Sequence, residues 1–401
     1  MSQVALSRPP AASLSLSVLV AASLCHFMND LMQSLFTASY PVFKDEFALS
    51  FTQVGILTLV YQLSASILQP LVGLFTDARP QPYSLPVGMG FSMSGLLTLA
   101  FAPSYPVLLL GGALLGIGSS IFHPEASRLA RLASGGAHGL AQSIFQVGGN
   151  VGTALGPLAV AFVVLQHGQQ SLAWFAAIAV CGMAVLTLLG RWYERNGHAR
   201  PRRKGQAADN GLSRRQIGKA IAVLMVLLLS KYFYLASFNT FYVFYLEEQF
   251  QLSAENAQLC LFVFLGAVAV GTVAGGPIGD RIGRRKVIWG SILGVLPFTL
   301  VLPYVGLAAT IALSVIIGLV LASAFSAIVV YAQSLMPHRI GMISGLFFGF
   351  AFGLGGLGAA LLGVLADATD VETVYRLCAF LPALGVLTLL LPDTEKRRAA
   401  R

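Results

Sequence analysis

The sequence predicts an all-α integral membrane protein of twelve transmembrane helices, arranged as two pseudo-symmetric six-helix bundles. Three observations predict it. Hydrophobic residues make up 56% of the 401 positions and charged residues only 10%, with a mean hydropathy of +0.77. The surface of a soluble domain is about a quarter charged or more, so composition argues against a soluble enzyme. A spanning helix needs about 20 apolar residues, and roughly a dozen such stretches follow one another. The second observation is charge placement. With both termini inside, the inner side receives Arg8, Arg79, Arg128, Arg131, the bases between Arg191 and Lys219, Arg281 to Lys286, Arg339 and the basic C-terminus. The outer side receives only Lys44 and Arg376 among bases, but Asp45, Glu46, Glu247, Glu248, Glu255, Asp367, Asp370 and Glu372. That is the positive-inside pattern. The third is a repeat. Glu46-Phe47-Ala48-Leu49-Ser50 matches Gln249-Phe250-Gln251-Leu252-Ser253, and Gly73 and Asp77 match Gly276 and Asp280, every pair 203 positions apart.

The elements follow in order. Residues before Ala12 read as a short cytoplasmic tail. The first apolar stretch is long, studded with polar residues and without a small-residue cleavage site, so it reads as a retained helix and not a signal peptide. Helix 1 is predicted over Leu14–Ser39, helix 2 over Phe51–Phe75, helix 3 over Leu85–Phe101, helix 4 over Val107–Leu129, helix 5 over His138–Leu165 and helix 6 over Leu172–Gly190. Arg191–Lys219 is polar, basic and without hydrophobic period, which makes it a cytoplasmic linker between bundles 1–190 and 220–401. Helices 7 and 8 are predicted over Ala220–Leu246 and Asn256–Ile278. Helices 9 to 12 follow over Val287–Pro303, Leu307–Leu335, Gly341–Leu365 and Val374–Leu391. The four cysteines lie in apolar segments without paired or metal-ligand spacing and read as small hydrophobic residues.

Ionisable residues inside membrane spans are costly and mark function, and here they are few. In helix 1, His26, Asp30 and Gln33 fall at i, i+4 and i+7 and share one face with Asn29 beside them. Asp30 sits near mid-depth and is the candidate proton carrier, with a structural hydrogen-bonding acid as the other reading. His26 is either a proton partner or a packed histidine. Lys231 in helix 7 maps through the repeat onto Met28, two residues from Asp30, so the two charges share a depth on symmetry-related helices. Either they pair, or Lys231 holds an anionic substrate while Asp30 takes the proton. Tyr234 lies nearby, and Tyr242 and Tyr245 lie further out; some of the tyrosines are expected as ordinary interfacial anchors. Helix 4 ends Phe122-His123-Pro124-Glu125-Ala126-Ser127-Arg128, placing His123 and Glu125 in its inner third. Glu125 reads as a proton site or as an inner-gate salt bridge to Arg128 or Arg131. Helix 5 carries Gln142, Gln146 and Asn150 at i, i+4 and i+8, a polar stripe that either lines a cavity or bonds helix 1. Gly152, Gly156 and Pro157 follow, with spacing suited to close helix contact.

No enzyme motif is present: neither His-Glu-x-x-His, a phosphate loop nor Cys-x-x-Cys occurs, so neither cofactor nor metal is expected. The basic linker has no interleaved aromatics of the nucleic-acid type. Its expected contact is the anionic inner leaflet.

The run Gly276-Pro277-Ile278-Gly279-Asp280-Arg281-Ile282-Gly283-Arg284-Arg285 resembles the loop signature of the major facilitator superfamily, and Gly156-Pro157 resembles that superfamily's antiporter motif. Four further stretches, Phe122–Glu125, His138–Asn150, Ser230–Ser237 and Ser344–Gly353, resemble the bacterial fosmidomycin-resistance transporters, and the similarity runs from helix 1 to helix 12. It implies an inner-membrane efflux antiporter that exports fosmidomycin, a phosphonate-hydroxamate antibiotic, against protons. On that reading Lys231, Tyr234, Asn29, Gln33, His123, Gln142, Gln146 and Asn150 bind the substrate, and Asp30, His26 and Glu125 couple protons. Gly73, Asp77, Arg128, Gly276, Asp280, Arg281, Gly283, Arg284, Arg285, Gly152, Gly156 and Pro157 gate. Partners are a small organic anion, protons and membrane lipids, with the chain a monomer. Two departures stand out. The first loop copy, Gly73-Leu74-Phe75-Thr76-Asp77-Ala78-Arg79-Pro80, loses the arginine and glycine that follow the aspartate. Gly112 stands where general drug–proton antiporters carry a helix 4 arginine, which returns weight to Asp30, His26 and Glu125. Two other functions fit the fold or the composition: an importer or exchanger of small phosphorylated or carboxylated metabolites, and a non-transporting membrane receptor.

Overall fold

The computed structural model describes residues 15–79, 81–135, 138–196, 212–336 and 340–392, a few of them by backbone alone. Among them there are helices and turns and no strand. Twelve helical spans follow one another: α1 Leu16–Ala38, α2 Phe51–Ala78, α3 Ser84–Ala100, α4 Tyr105–Ala133, α5 138–167, α6 Gln169–Asn196 and α7 Arg214–Phe250. The remaining five are α8 Ala254–Ile282, α9 Arg284–Tyr304, α10 Leu307–Leu335, α11 Ile340–Ala368 and α12 Val371–Leu390. Ten are long and apolar enough to cross a membrane. The exceptions are α3, which has 17 residues, and α1, whose apolar run is interrupted by His26, Asn29, Asp30 and Gln33.

Local chemistry sets the ends. The repeated pentapeptide is a stop–turn–start signal. Ala48 and Gln251, equivalent in the repeat, both take left-handed backbone at φ 48° and 53°. Ser50 then caps α2, accepting from Gln53 N while Gln53 Oε1 accepts from Ser50 N. Ser253 caps α8 the same way, accepting from Asn256 N at 3.4 Å. A Ser213–Gln216 capping box starts α7 six residues ahead of the predicted Ala220, and α6 runs on to Asn196, so both ends of the predicted linker are helical. Gly283, at φ 96°, separates α8 from α9. Only glycine adopts such a conformation freely, which accounts for the glycine inside the basic loop. Asp370 Oδ1 accepts from Thr373 N at 2.6 Å, and that bond holds its carboxyl below the usual carboxylate range. Pro70, Pro124 and Pro157 fall inside spans. Pro157 leaves the Thr153 carbonyl without its helical donor, and Ser34 Oγ donates to it at 2.6 Å.

Small residues let spans approach. Gly148, Gly152 and Gly156 face α1 so closely that a Cβ at each would lie 1.9 Å from Ser23 O, 2.3 Å from Phe27 O and 2.1 Å from Ser34 Oγ. The two halves meet chiefly at the end that the charge pattern names outer. There a Cβ on Gly55 would lie 2.4 Å from Ala359 O, and one on Gly363 2.4 Å from Phe51 O. Gln258 Nε2 donates to Ala38 O at 2.7 Å. Thr58 and Thr240 touch across the halves at 3.5 Å, and Phe51 packs edge-on against Phe244 at 5.3 Å. Nearer mid-depth, Ser66 Oγ donates to Gly349 O at 2.7 Å. All four cysteines are free. Tyr242 and Tyr245 are buried against Tyr375 of α12.

Candidate functional site

The buried polar residues of α1 converge with α4 and α5. His26 Nε2 lies 3.2 Å from Asp30 Oδ2. His123 Nε2, reaching in from α4, lies 3.4 Å from Asp30 Oδ1, and Asn29 Nδ2 donates to that oxygen at 3.0 Å. Each histidine is anchored through its other nitrogen. His26 Nδ1 faces the Phe145 carbonyl of α5 at 2.8 Å, with the two rings stacked at 4.1 Å. His123 Nδ1 faces Ser119 O at 3.0 Å. A carbonyl oxygen can only accept, so His26 Nδ1 carries hydrogen. His123 Nδ1 also lies 3.2 Å from Ser119 Oγ, a hydroxyl that can donate to it. His26 Nε2 is buried and has no partner besides the carboxylate. The cluster thus brings two imidazoles to one carboxylate, each through Nε2. Its three donor atoms lie within 4.8 Å of one another, the one group among the described residues with spacing that also suits a metal ion.

Surrounding side chains hold the triad. Ser92 Oγ donates to Asn29 Oδ1 at 3.2 Å. Ser119 Oγ and the Tyr61 hydroxyl both donate to Gln33 Oε1, which leaves Gln33 Nε2 buried without an acceptor. Asn150 Nδ2 is likewise unpaired, while its Oδ1 accepts from Gln146 Nε2 at 3.3 Å. Two buried amide donors thus await acceptor oxygens. Gln142 is exposed and accepts from Ser127 Oγ at 3.0 Å.

Lys231 is 2% exposed. Its Nζ reaches only the Ala322 carbonyl, at 3.5 Å, and stands 5.3 Å and 5.5 Å from the ring centres of Phe325 and Tyr232. Among the described residues no acid is within ion-pair distance of it. Asp30 pairs with the histidines instead, so of the two arrangements the sequence leaves open, this conformation has Lys231 unpaired with acid. Tyr234 is buried in the C-terminal half, its ring against Phe238.

Glu125 stands apart from the triad, 3.5 Å from Arg128 on the same helix, and Arg128 Nη1 donates to Thr76 O at the inner end of α2 at 2.6 Å. Gly73 faces open space, Arg281 is exposed, and Arg284 is half-buried beside Gly279. Arg285 ties the loop to α12 by donating to Thr388 O and Leu389 O. Gly152, Gly156 and Pro157 serve the α1–α5 contact described above. The side chains of Asp77, Gly276 and Asp280 lie outside the described residues.

Sequence reading missed Ser92, Ser119, Tyr61 and Gly149. The three hydroxyl residues carry no signal, since isolated hydroxyls are common in apolar helices. Gly149 does: a Cβ there would lie 2.4 Å from His26 Cε1 and Nε2 and 2.7 Å from Asp30 Oδ2. Its adjacency to Gly148, outside the small-xxx-small spacing, was the available clue.

Residues 22–245 and 223–401 match the model of the Major Facilitator Superfamily. The chain is 56% identical over 383 residues to the Fosmidomycin resistance protein of Escherichia coli (strain K12), covering 96% of this chain and 94% of that one. It is 41% identical over 384 residues to the MFS-type transporter YfnC of Bacillus subtilis (strain 168), covering 95% and 94%. Among solved structures, a bacterial homolog of the human lysosomal transporter Spinster, inward-facing and occupied, superposes with a TM-score of 0.73 at 15% identity, covering 94% of each chain. The nucleoside transporter NupG superposes with a TM-score of 0.71 at 14% identity, covering 94% of this chain and 99% of that one.

Proposed function

Because the chain belongs to the Major Facilitator Superfamily, we propose that it exports fosmidomycin-like organic anions across the bacterial inner membrane by alternating access, in exchange for protons. It is a multi-pass membrane transporter and not an enzyme. The observation that carries the proposal is the division of charge between the halves. The N-terminal half, residues 1–190, holds a carboxylate between two imidazoles. Among the described residues of the C-terminal half, residues 220–401, Lys231 is a buried ammonium whose Nζ has a carbonyl and two rings beside it.

A buried cation without an acid beside it is costly, and an incoming anion removes that cost. Lys231 binds the anionic head, and the unpaired amides of Gln33 and Asn150, with Gln146 and Gln142, offer donors to its remaining oxygens. Asn29 and Tyr234 shape the walls. Protons enter from outside onto the Asp30–His26–His123 cluster and leave inward past Glu125. Arg128 and the two glycine–aspartate loops gate the inner end, with both termini cytoplasmic. The central part of the basic linker, 197–211, lies outside the described residues; one copy of the chain suffices. The membrane potential helps: carrying one negative charge outward down a potential of about 100 mV, inside negative, releases roughly 2.3 kcal/mol. The relative named for fosmidomycin resistance supports the choice of substrate.

The test is fosmidomycin flux in proteoliposomes under an imposed pH gradient, with Asp30→Asn alongside. The expected result is uphill flux in the wild type and, in the variant, exchange without uphill flux. Full pH-driven uphill flux in Asp30→Asn refutes the coupling role. A lone buried ammonium also suits small phosphorylated or carboxylated metabolites. Counterflow with such metabolites, in the absence of fosmidomycin flux, would establish that reading instead.

A further inference from the structure

The outer closure contains one contact unlike the others. Asp367, at the outer end of α11, reaches across the halves to the first turn of α2. Its Oδ1 accepts from Phe51 N at 2.8 Å and its Oδ2 from Thr52 N at 2.7 Å. The first N–H groups of a helix have no partner within it and carry the positive end of its dipole. Ser50 already satisfies Gln53 N through the capping box. The two amides left over are the ones that Asp367 takes. Any opening that parts α2 from α11 at this end must break both bonds. The repeat makes the contact one-sided: Val164 to His167, at the matching end of α5, contains no acid.

We infer that Asp367 is a latch, a positioning residue that biases the transporter toward its outward-closed state by capping α2 from the opposite half. The inference concerns the conformational cycle and holds whatever the substrate. The latch is weak by construction. Asp367 is exposed, water and salt screen it, and a carboxylate at a helix N-terminus contributes modestly. A weak latch suits a cycle in which the closed end must reopen on every turn.

The test uses a cysteine-free background in which Cys25, Cys181, Cys260 and Cys378 are replaced by alanine, with Thr240→Cys as reporter. Thr240 is 5% exposed and touches Thr58 beneath the closure. In sealed vesicles, labelling by a membrane-impermeant maleimide added on the outer side reads the population open to that side. Asp367→Asn should speed labelling about two- to fivefold, from the loss of one exposed helix-end charge. Thr52→Pro should do the same without touching the carboxylate. Proline is accepted in the first turn of a helix and deletes the N–H that Oδ2 binds. Thr52→Ala, which keeps that N–H and loses only the hydroxyl that also bonds Asp367, should label more slowly than Thr52→Pro. The double variant Asp367→Asn with Thr52→Pro should label no faster than the quicker single one, because both remove the same contact. Labelling at the parent rate in Asp367→Asn overturns the inference. So does faster labelling in Asp367→Asn with Thr52→Pro unchanged, since a carboxylate that only stabilised α11 would give that result. If Asp367→Asn does not fold, Thr52→Pro decides alone by the same criterion.

Discussion

Gly149→Ala puts the candidate proton site to its sharpest test. The added Cβ would fall 2.4 Å from two atoms of the His26 ring and 2.7 Å from Asp30 Oδ2. Ordinary carbon contacts begin near 3.4 Å, so the imidazole or the carboxylate must retreat by about 1 Å. Their present separation of 3.2 Å then opens to roughly 4 Å, beyond hydrogen-bond range. His26 cannot retreat freely, because Nδ1 is held to Phe145 O and its ring is stacked on Phe145. The strain costs about 1–3 kcal/mol, and the lost charge-assisted contact about 1.5–3 kcal/mol. At 1.4 kcal/mol per tenfold, proton-driven uphill flux should fall about tenfold or more while fosmidomycin exchange persists. The assay is flux in proteoliposomes with and without a pH gradient, on protein that stays monodisperse in detergent. Gly148→Ala is the informative comparison. Its Cβ would meet the Ser23 backbone oxygen at 1.9 Å, so it should damage the α1–α5 contact and folding itself. Wild-type uphill flux in a folded Gly149→Ala variant would refute the reasoning that places proton coupling at this cluster.

Other expectations follow from the same geometry. Lys231→Met should fold as well as the wild type or better, since it removes a buried charge without a counter-ion. Fosmidomycin binding by calorimetry should weaken about ten- to a hundredfold, the worth of a hydrogen bond to a charged group; unchanged affinity would remove Lys231 from the substrate site. Glu125→Gln should impair pH-driven uphill flux less than Asp30→Asn, because Glu125 pairs with Arg128 and does not touch the triad; equal loss in the two variants would place the coupling step at Glu125. Gly363→Val should prevent outer closure, as even its Cβ would press on the Phe51 carbonyl at 2.4 Å. Uphill transport should vanish, and Thr240→Cys should become reactive from outside. Normal transport would show that α2 and α11 need not pack closely there.

Much of this protein is legible along the chain because a membrane imposes its rules locally. Each span must satisfy its own backbone and present apolar side chains to lipid, so twelve helices can be read from hydropathy and capping residues alone. The repeat is legible for the same reason: Ala48 and Gln251, then Ser50 and Ser253, form one turn-and-cap device used twice. The costly intramembrane residues His26, Asp30, Glu125 and Lys231 announce themselves one by one. Which of them meet is a different matter. Asp30 and Lys231 share a depth by the repeat, yet Asp30 turns to His123 on α4, a residue read as a substrate ligand. Lys231 turns to aromatic rings and a carbonyl. Side-chain direction across a helix interface depends on rotation and packing, which periodicity does not encode. Gly149 and Asp367 show the same limit. One acts by an absent Cβ, the other by capping a helix that starts 316 positions away from it. Sequence alone determined the spans, the two-fold plan and the short list of charged residues. Tertiary structure decided the partnerships, because a contact between helices belongs to neither helix by itself.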